Sequence, residues 1–143
     1  MRLKTTRNSY NMLISRIIKV LFLKIFHQCL IKGFAKEIIT AKHGLEAIEY
    51  FDNLFEESKV NDSIVYPKLV LLDLNMPVLD GWEFLESYMR KEYDNLFSST
   101  KFIVLSSSVD PYDINRSKSY PVIGFLSKPI TKEMLENLKH QFL

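Results

Sequence analysis

Three polar residues each follow a short apolar run: Asp73 after Leu69-Val-Leu-Leu72, Ser106 after Phe102-Ile-Val-Leu105, and Lys128 just beyond Gly124-Phe-Leu-Ser127. An acid, a hydroxyl and an ammonium converging on one crevice suit phosphoryl transfer. The carboxylate is the nucleophile, the hydroxyl donates a hydrogen bond to a phosphoryl oxygen, and the lysine offsets charge as the acyl phosphate forms. Taken singly, each has an ordinary explanation: an aspartate caps or turns, a serine satisfies a backbone amide, a lysine is solvated. Three successive run ends carrying complementary chemistry are harder to assign to coincidence.

Such a crevice needs a parallel sheet, because ligands of open α/β sheets bind beyond the carboxyl ends of the strands, where strand order reverses. From residue 37 onward short apolar runs alternate with longer amphipathic ones, the pattern of βα units. Strands are expected over Glu37 to Ala41, Leu69 to Leu74, Phe102 to Ser106 and Val122 to Leu126. The run Lys68-Leu-Val-Leu-Leu-Asp73 is nearly all apolar, as for a central strand covered on both faces. Ile48, Phe51 and Phe55 recur at helical spacing within 44 to 58, and Phe84, Leu85, Tyr88 and Met89 do so within 82 to 92. Asp80-Gly-Trp-Glu83 reads as a capping box, Asp110-Pro111 as an N-cap with proline at the first helical position, and Thr131 as the cap of a last helix burying Leu135, Leu138 and Phe142.

The first third of the chain is written differently. Residues 1 to 36 hold eight Lys/Arg and no acid, the first being Glu37; the other 107 residues hold 11 Lys/Arg against 17 Asp/Glu. Two arrangements compete: a first, central strand over Ile17 to Leu23 followed by a helix over roughly Phe26 to Lys32, or one helix from 10 to 32. Arg16, Lys19, Lys24 and Lys32 interrupt the apolar run, leaving Val20 to Leu23 as its longest clean stretch. That is far short of the roughly 18 residues of a spanning helix, so no membrane span is expected, and no small-residue cleavage site follows. Nucleic-acid binding is not expected either, because the basic stretch is too apolar for a solvated arm.

At 143 residues and 47% hydrophobic content the chain is expected to form one domain over 1–143, with residues 1–15 a disordered or atypical extension. A single cysteine, Cys29, excludes an internal disulfide and points to the cytoplasm.

The wording of the three segments carries a resemblance. Leu69-Val-Leu-Leu-Asp73-Leu-Asn-Met-Pro77-Val-Leu-Asp-Gly81 resembles the phosphoacceptor segment of the receiver domains of two-component response regulators. Phe102-Ile-Val-Leu-Ser106-Ser-Ser-Val-Asp-Pro111 and Gly124-Phe125-Leu-Ser-Lys128-Pro129 are similar to that family's fourth-strand hydroxyl and fifth-strand lysine motifs. The resemblance covers about residues 34 to 143. It implies a doubly wound parallel five-stranded sheet in the flavodoxin-like order 2-1-3-4-5, and a stand-alone receiver whose phosphorelay signal leaves by protein contact. It makes Asp73 the phosphoacceptor, Ser106 the switch hydroxyl, Lys128 the charge partner and Phe125 the switch aromatic. Asp73 and the Asn75 carbonyl become ligands of Mg²⁺, and Pro77 and Gly81 belong to the following loop. The implied partners are a histidine kinase, a histidine phosphotransfer protein, a downstream protein target, and a second copy met through the face of the fourth helix and fifth strand. No independent enzyme is expected beyond self-catalysed phosphoryl transfer and dephosphorylation at Asp73.

One departure stands against these agreements. Receivers carry an adjacent pair of acids at the end of the first strand; here Leu23 is followed by Lys24-Ile-Phe-His27-Gln28. Mg²⁺ prefers octahedral oxygen and usually takes one or two carboxylates, so its affinity should fall. Lys24, turned into the crevice, would pair with Asp73 and imitate a permanently set switch. His27 reads as an ordinary helix histidine rather than a relay histidine. A phosphorylation-deficient pseudo-receiver acting as an interaction module is thus the alternative reading. A hydrolase of the haloacid dehalogenase type also has an aspartate nucleophile after an apolar strand, but it wants a second acid where this chain has Asn75.

Overall fold

Alternation of buried apolar side chains along the chain builds a sheet flanked by helices. The computed structural model describes residues 4–7, 19–23, 37–76 and 78–142. In chain order the elements are β1 (Lys4–Arg7), β2 (Lys19–Leu23), β3 (Glu37–Ala41), α1 (Gly44–Ser58), β4 (Leu69–Asp73), α2 (Gly81–Arg90), α3 (Tyr93–Leu96), β5 (Lys101–Ser106), α4 (Pro111–Ser117), β6 (Val122–Ser127) and α5 (Lys132–Phe142).

Among the described residues the sheet has six strands in the order β1-β3-β2-β4-β5-β6. The five strands from β2 to β6 run parallel and reproduce the 2-1-3-4-5 order implied by the motifs. Residues 19–23 are therefore a strand, paired from Val20↔Leu69 to Leu23↔Leu72, and the single-helix reading of 10 to 32 does not hold. The sheet is one strand wider than expected: β1 lies antiparallel to β3, from Lys4↔Thr40 to Arg7↔Glu37. The helix expected over Phe26 to Lys32 lies outside the described residues.

Strand β4 is buried along its whole length, as its unbroken apolar run requires of a central parallel strand. Successive side chains of a strand point to opposite faces. Val70 and Leu72 join a core with Phe102 and Val104 of β5, Ile48, Phe51 and Leu54 of α1, and Phe84, Leu85 and Tyr88 of α2. Phe51 sits among aromatic neighbours, its centroid 5.1 Å from Tyr88 and 5.4 Å from Phe97. Leu69, Leu71 and Asp73 alternate with Val70 and Leu72, and α5 buries Leu135 and Leu138 outside this cluster. The Phe142 side chain, the third anchor expected of α5, lies outside those described.

The caps fall where the sequence places them. Asp80 accepts from the Glu83 amide at 2.8 Å while the Glu83 carboxylate accepts from the Asp80 amide at 2.9 Å. Asp110 accepts from Tyr112 N at 2.7 Å, and Thr131 Oγ1 from Met134 N at 3.2 Å. Helix α2 is shorter than the 82 to 92 pattern suggests. Glu92 adopts φ 58°, which breaks the helix before the short turn α3.

Candidate functional site

The site lies where β4, β5 and β6 end. Asp73 is fully buried as the last residue of β4, paired in register with Leu105 of β5. One residue further on, Ser106 pairs with Ser127 of β6. That register depends on a shift: Phe102 faces Val122 but Ile103 faces Gly124, so Ile123 is an extra residue on β6. Bulges of this kind re-aim the residues that follow them. Here the shift sets Ser127 beside Ser106, and the Lys128 amide then donates to the Ser106 carbonyl at 2.8 Å.

The chain thereby delivers the Lys128 ammonium to the Asp73 carboxylate, with which it forms an ion pair through Oδ2. The other oxygen, Oδ1, accepts from the Asn75 amide at 2.8 Å. Desolvating two charges costs several kcal/mol per ion, repaid only when geometry and further hydrogen bonds are good. Asp73 has the further hydrogen bond from Asn75, and Lys128 keeps about a quarter of its side chain in solvent. The Lys128–Pro129 peptide bond is cis.

Ser106 is brought to the same rim but its hydroxyl is engaged locally. It donates to the Ser108 carbonyl at 2.7 Å and accepts from the Ser108 amide at 3.2 Å. Phe125, half-buried, packs against the core. Lys24, His27, Cys29 and Pro77 lie outside the described residues.

The loop after Asp73 is held from two sides. Gly81 N donates to Leu74 O at 3.1 Å, and a Cβ at Gly81 would come within 2.8 Å of Leu74 Cα and 2.9 Å of the Asp73 carbonyl, so only glycine allows this approach. Gly44 N, opening α1, donates to Leu79 O at 3.2 Å. Between these ties Val78 adopts φ 68°, a conformation costing a β-branched residue about 1–3 kcal/mol, of the kind stored at functional sites. Past the loop, Trp82 of α2 carries the Arg116 guanidinium of α4 over its ring at 4.5 Å.

Several of these contacts were not visible in the motifs: the Asn75 amide on Asp73, the Ser108 partner of Ser106, and the Gly44 tie. Only the first left a signal, since an aspartate commonly accepts from the amide two residues on.

The residues present do not fit a divalent cation. Among the described residues no three His, Cys, Asp or Glu side chains come together. Asp73 already serves an ammonium and an amide, and the sequence has no acid before Glu37 with which the end of β2 could supplement it. Octahedral Mg²⁺ would find one shared carboxylate and the Asn75 carbonyl.

The family described as the response regulator receiver domain matches residues 19–139. The chain is 30% identical over 115 residues to the probable methanogenesis regulatory protein FilR2 of Methanothrix harundinacea, covering 78% of this chain and 69% of that one. Among solved structures it is similar to a two-component response regulator from Cytophaga hutchinsonii, with TM-score 0.67, 25% identity and coverage of 88% and 96% of the two chains. The fold is likewise that of the Mn²⁺-bound response regulator Rcp1, at TM-score 0.62, 23% identity and coverage of 86% and 90%. This chain belongs to the response regulator receiver domain family. Receiver domains serve phosphorelay signalling, interact with histidine kinases and downstream targets, and generally bind Mg²⁺. No helix among the described residues is long and apolar enough to cross a membrane.

Proposed function

We propose that this chain is a single receiver domain that accepts a phosphoryl group from a histidine kinase, or from a histidine phosphotransfer protein, onto Asp73. The observation that supports this best is a buried carboxylate at the end of β4 held by the Lys128 ammonium and the Asn75 amide. In the reaction an Asp73 carboxylate oxygen forms the new bond to phosphorus while the bond from phosphorus to the donor's nitrogen breaks, its electron pair leaving with the histidine. Lys128 meets the charge on the phosphoryl oxygens. Ser106 becomes a donor to the phosphoryl group by giving up the Ser108 carbonyl, and this exchange carries the signal to the loop leading into α4, with Phe125 following. The output is a protein contact, to a downstream target or a second copy through α4 and β6, in the cytoplasm.

Incubation with acetyl phosphate, read by intact mass, tests the assignment. The expected result is a gain of one phosphoryl group that is absent in Asp73→Asn; a gain that survives the substitution removes Asp73 from the role. A second reading, an interaction module that is not phosphorylated, is favoured by the lack of any acid before Glu37. Absence of uptake from acetyl phosphate selects it.

A further inference from the structure

We infer that the Asp73 pocket works without a divalent cation, the Lys128 ammonium being its resident counter-ion. This deepens the phosphoacceptor reading and rests on it for the phosphoryl half of the test, while the metal-binding half stands by itself.

The donor set disfavours a metal. An ion at this rim would share one carboxylate with a lysine already paired to Oδ2 and an amide already donating to Oδ1. No neighbouring acid is available to it: the last residue of β2, in register with Leu72, is Leu23, and the next in sequence is Lys24.

Charge balance points the same way. Taken as a pair Asp73 and Lys128 are neutral, so a divalent ion placed beside that pair would add two positive charges that the pair cannot offset at a buried strand end. Two further carboxylates would cancel such an ion. Omitting the two carboxylates and the ion together therefore leaves the pocket's net charge unchanged, both at rest and after phosphoryl uptake. A phosphoryl group brings about two negative charges, one of which Lys128 offsets, and that remainder is the same in a pocket holding both the acids and the metal. This chain lacks the acids, and the balanced state is the one that also lacks the ion.

The lysine is built in as such a counter-ion must be. Its backbone is tied to β5 by the bond from its amide to the Ser106 carbonyl, downstream of the register shift at Ile123, and its ammonium is paired with the buried carboxylate while about a quarter of its side chain stays in solvent. Asp73 is thus paired with a cation that cannot diffuse away.

The test uses the whole chain. Mn²⁺ is titrated into the protein and into Asp73→Asn, with water-proton relaxation and the fluorescence of Trp82, the single tryptophan, as readouts. The expected result is no saturable binding that depends on Asp73; saturable binding lost in Asp73→Asn overturns the inference. In parallel, phosphoryl uptake from acetyl phosphate is followed by intact mass in Mg²⁺ and in chelator. During uptake the acyl P–O bond breaks and acetate leaves with the electron pair. Rates agreeing within about twofold support the inference, whereas a pocket that needs its metal would lose on the order of a hundredfold in chelator. Uptake confined to Mg²⁺ overturns it. Uptake in neither condition removes the phosphoacceptor reading and leaves the metal titration to decide the counter-ion.

Discussion

The two halves of the sheet's carboxyl rim differ in kind. At and just beyond the ends of β4, β5 and β6 lie residues with polar partners: Asp73 holds Lys128, Ser106 turns to Ser108, and Lys128 is pinned to β5. Where β2 and β3 end, the residues are Leu23 and Ala41, and the polar contacts after β3 cap and tie down α1. His43 caps α1 by accepting from Glu46 N at 3.2 Å, the Glu46 carboxylate accepts from Lys42 N at 2.7 Å, and Gly44 ties down Leu79. Yet β2 keeps its central place between β3 and β4. The strand order is thus set by apolar runs and pairing register, and the chemistry at a strand end can be lost without losing the strand.

The largest expected effect comes from breaking the chemical half. Lys128→Met leaves a buried carboxylate supported by the Asn75 amide without its ammonium, and should destabilise the fold by about 3 kcal/mol in urea unfolding. Asp73→Asn placed in the same chain should recover most of that, because the uncompensated charge is gone. A loss under about 0.5 kcal/mol, the size seen for exposed pairs, would mean that solvent reaches Asp73 and that the two rim halves are less distinct than their contacts imply.

A smaller effect should follow from giving the other half the chemistry it lacks. Leu23→Asp with Lys24→Asp supplies two adjacent carboxylates in sequence at the end of β2. Mg²⁺ should then raise the midpoint of thermal unfolding, by the equivalent of about 1–3 kcal/mol once the ion is well above its dissociation constant, with no such shift in the unsubstituted chain. An equal Mg²⁺ shift in both proteins would sink the comparison, since it would show that the acids are not what is missing.

How much of this could be read from the sequence depended on whether a feature was periodic. Glu37–Ala41 and 44–58 coincide with their apolar patterns, and Asp80, Asp110 and Thr131 cap helices as their positions suggest, because caps and stripes are local rules. Asp73 and Lys128 were legible as a pair because one closes and the other directly follows a strand whose apolar run announces it. Strand β1 was not: Lys-Thr-Thr-Arg is a four-residue edge segment with no apolar alternation, and its pairing with β3 is long-range. The Ser108 partner of Ser106 depends on the turn the backbone makes after β5. Val78 was least legible of all, because a β-branched side chain argues against the left-handed conformation it adopts.

The smallest effect concerns the core that both halves share. Among the described residues the Tyr88 hydroxyl is buried without a hydrogen-bond partner, while the neighbouring Thr100 hydroxyl donates to the Pro67 carbonyl at 2.5 Å. Burial accordingly pushes the Tyr88 phenol well above the ordinary tyrosine range, and burial with the 2.5 Å hydrogen bond to Asp52 does the same for Tyr93. Below the unperturbed value of 10.0 both rings are neutral in folded and unfolded chains alike. Above it the unfolded chain ionises first, so stability is lost as pH rises past that value. Tyr88→Phe removes the stranded hydroxyl and should stabilise the chain by about 1 kcal/mol at neutral pH. Its advantage should widen above pH 10.0, because one of the two rings that favour the unfolded state is gone. Urea unfolding at neutral and alkaline pH measures both quantities. An advantage that shrinks with rising pH would mean that the fold favours the Tyr88 phenolate, as a donor such as the Thr100 hydroxyl aimed at the Tyr88 oxygen would make it do.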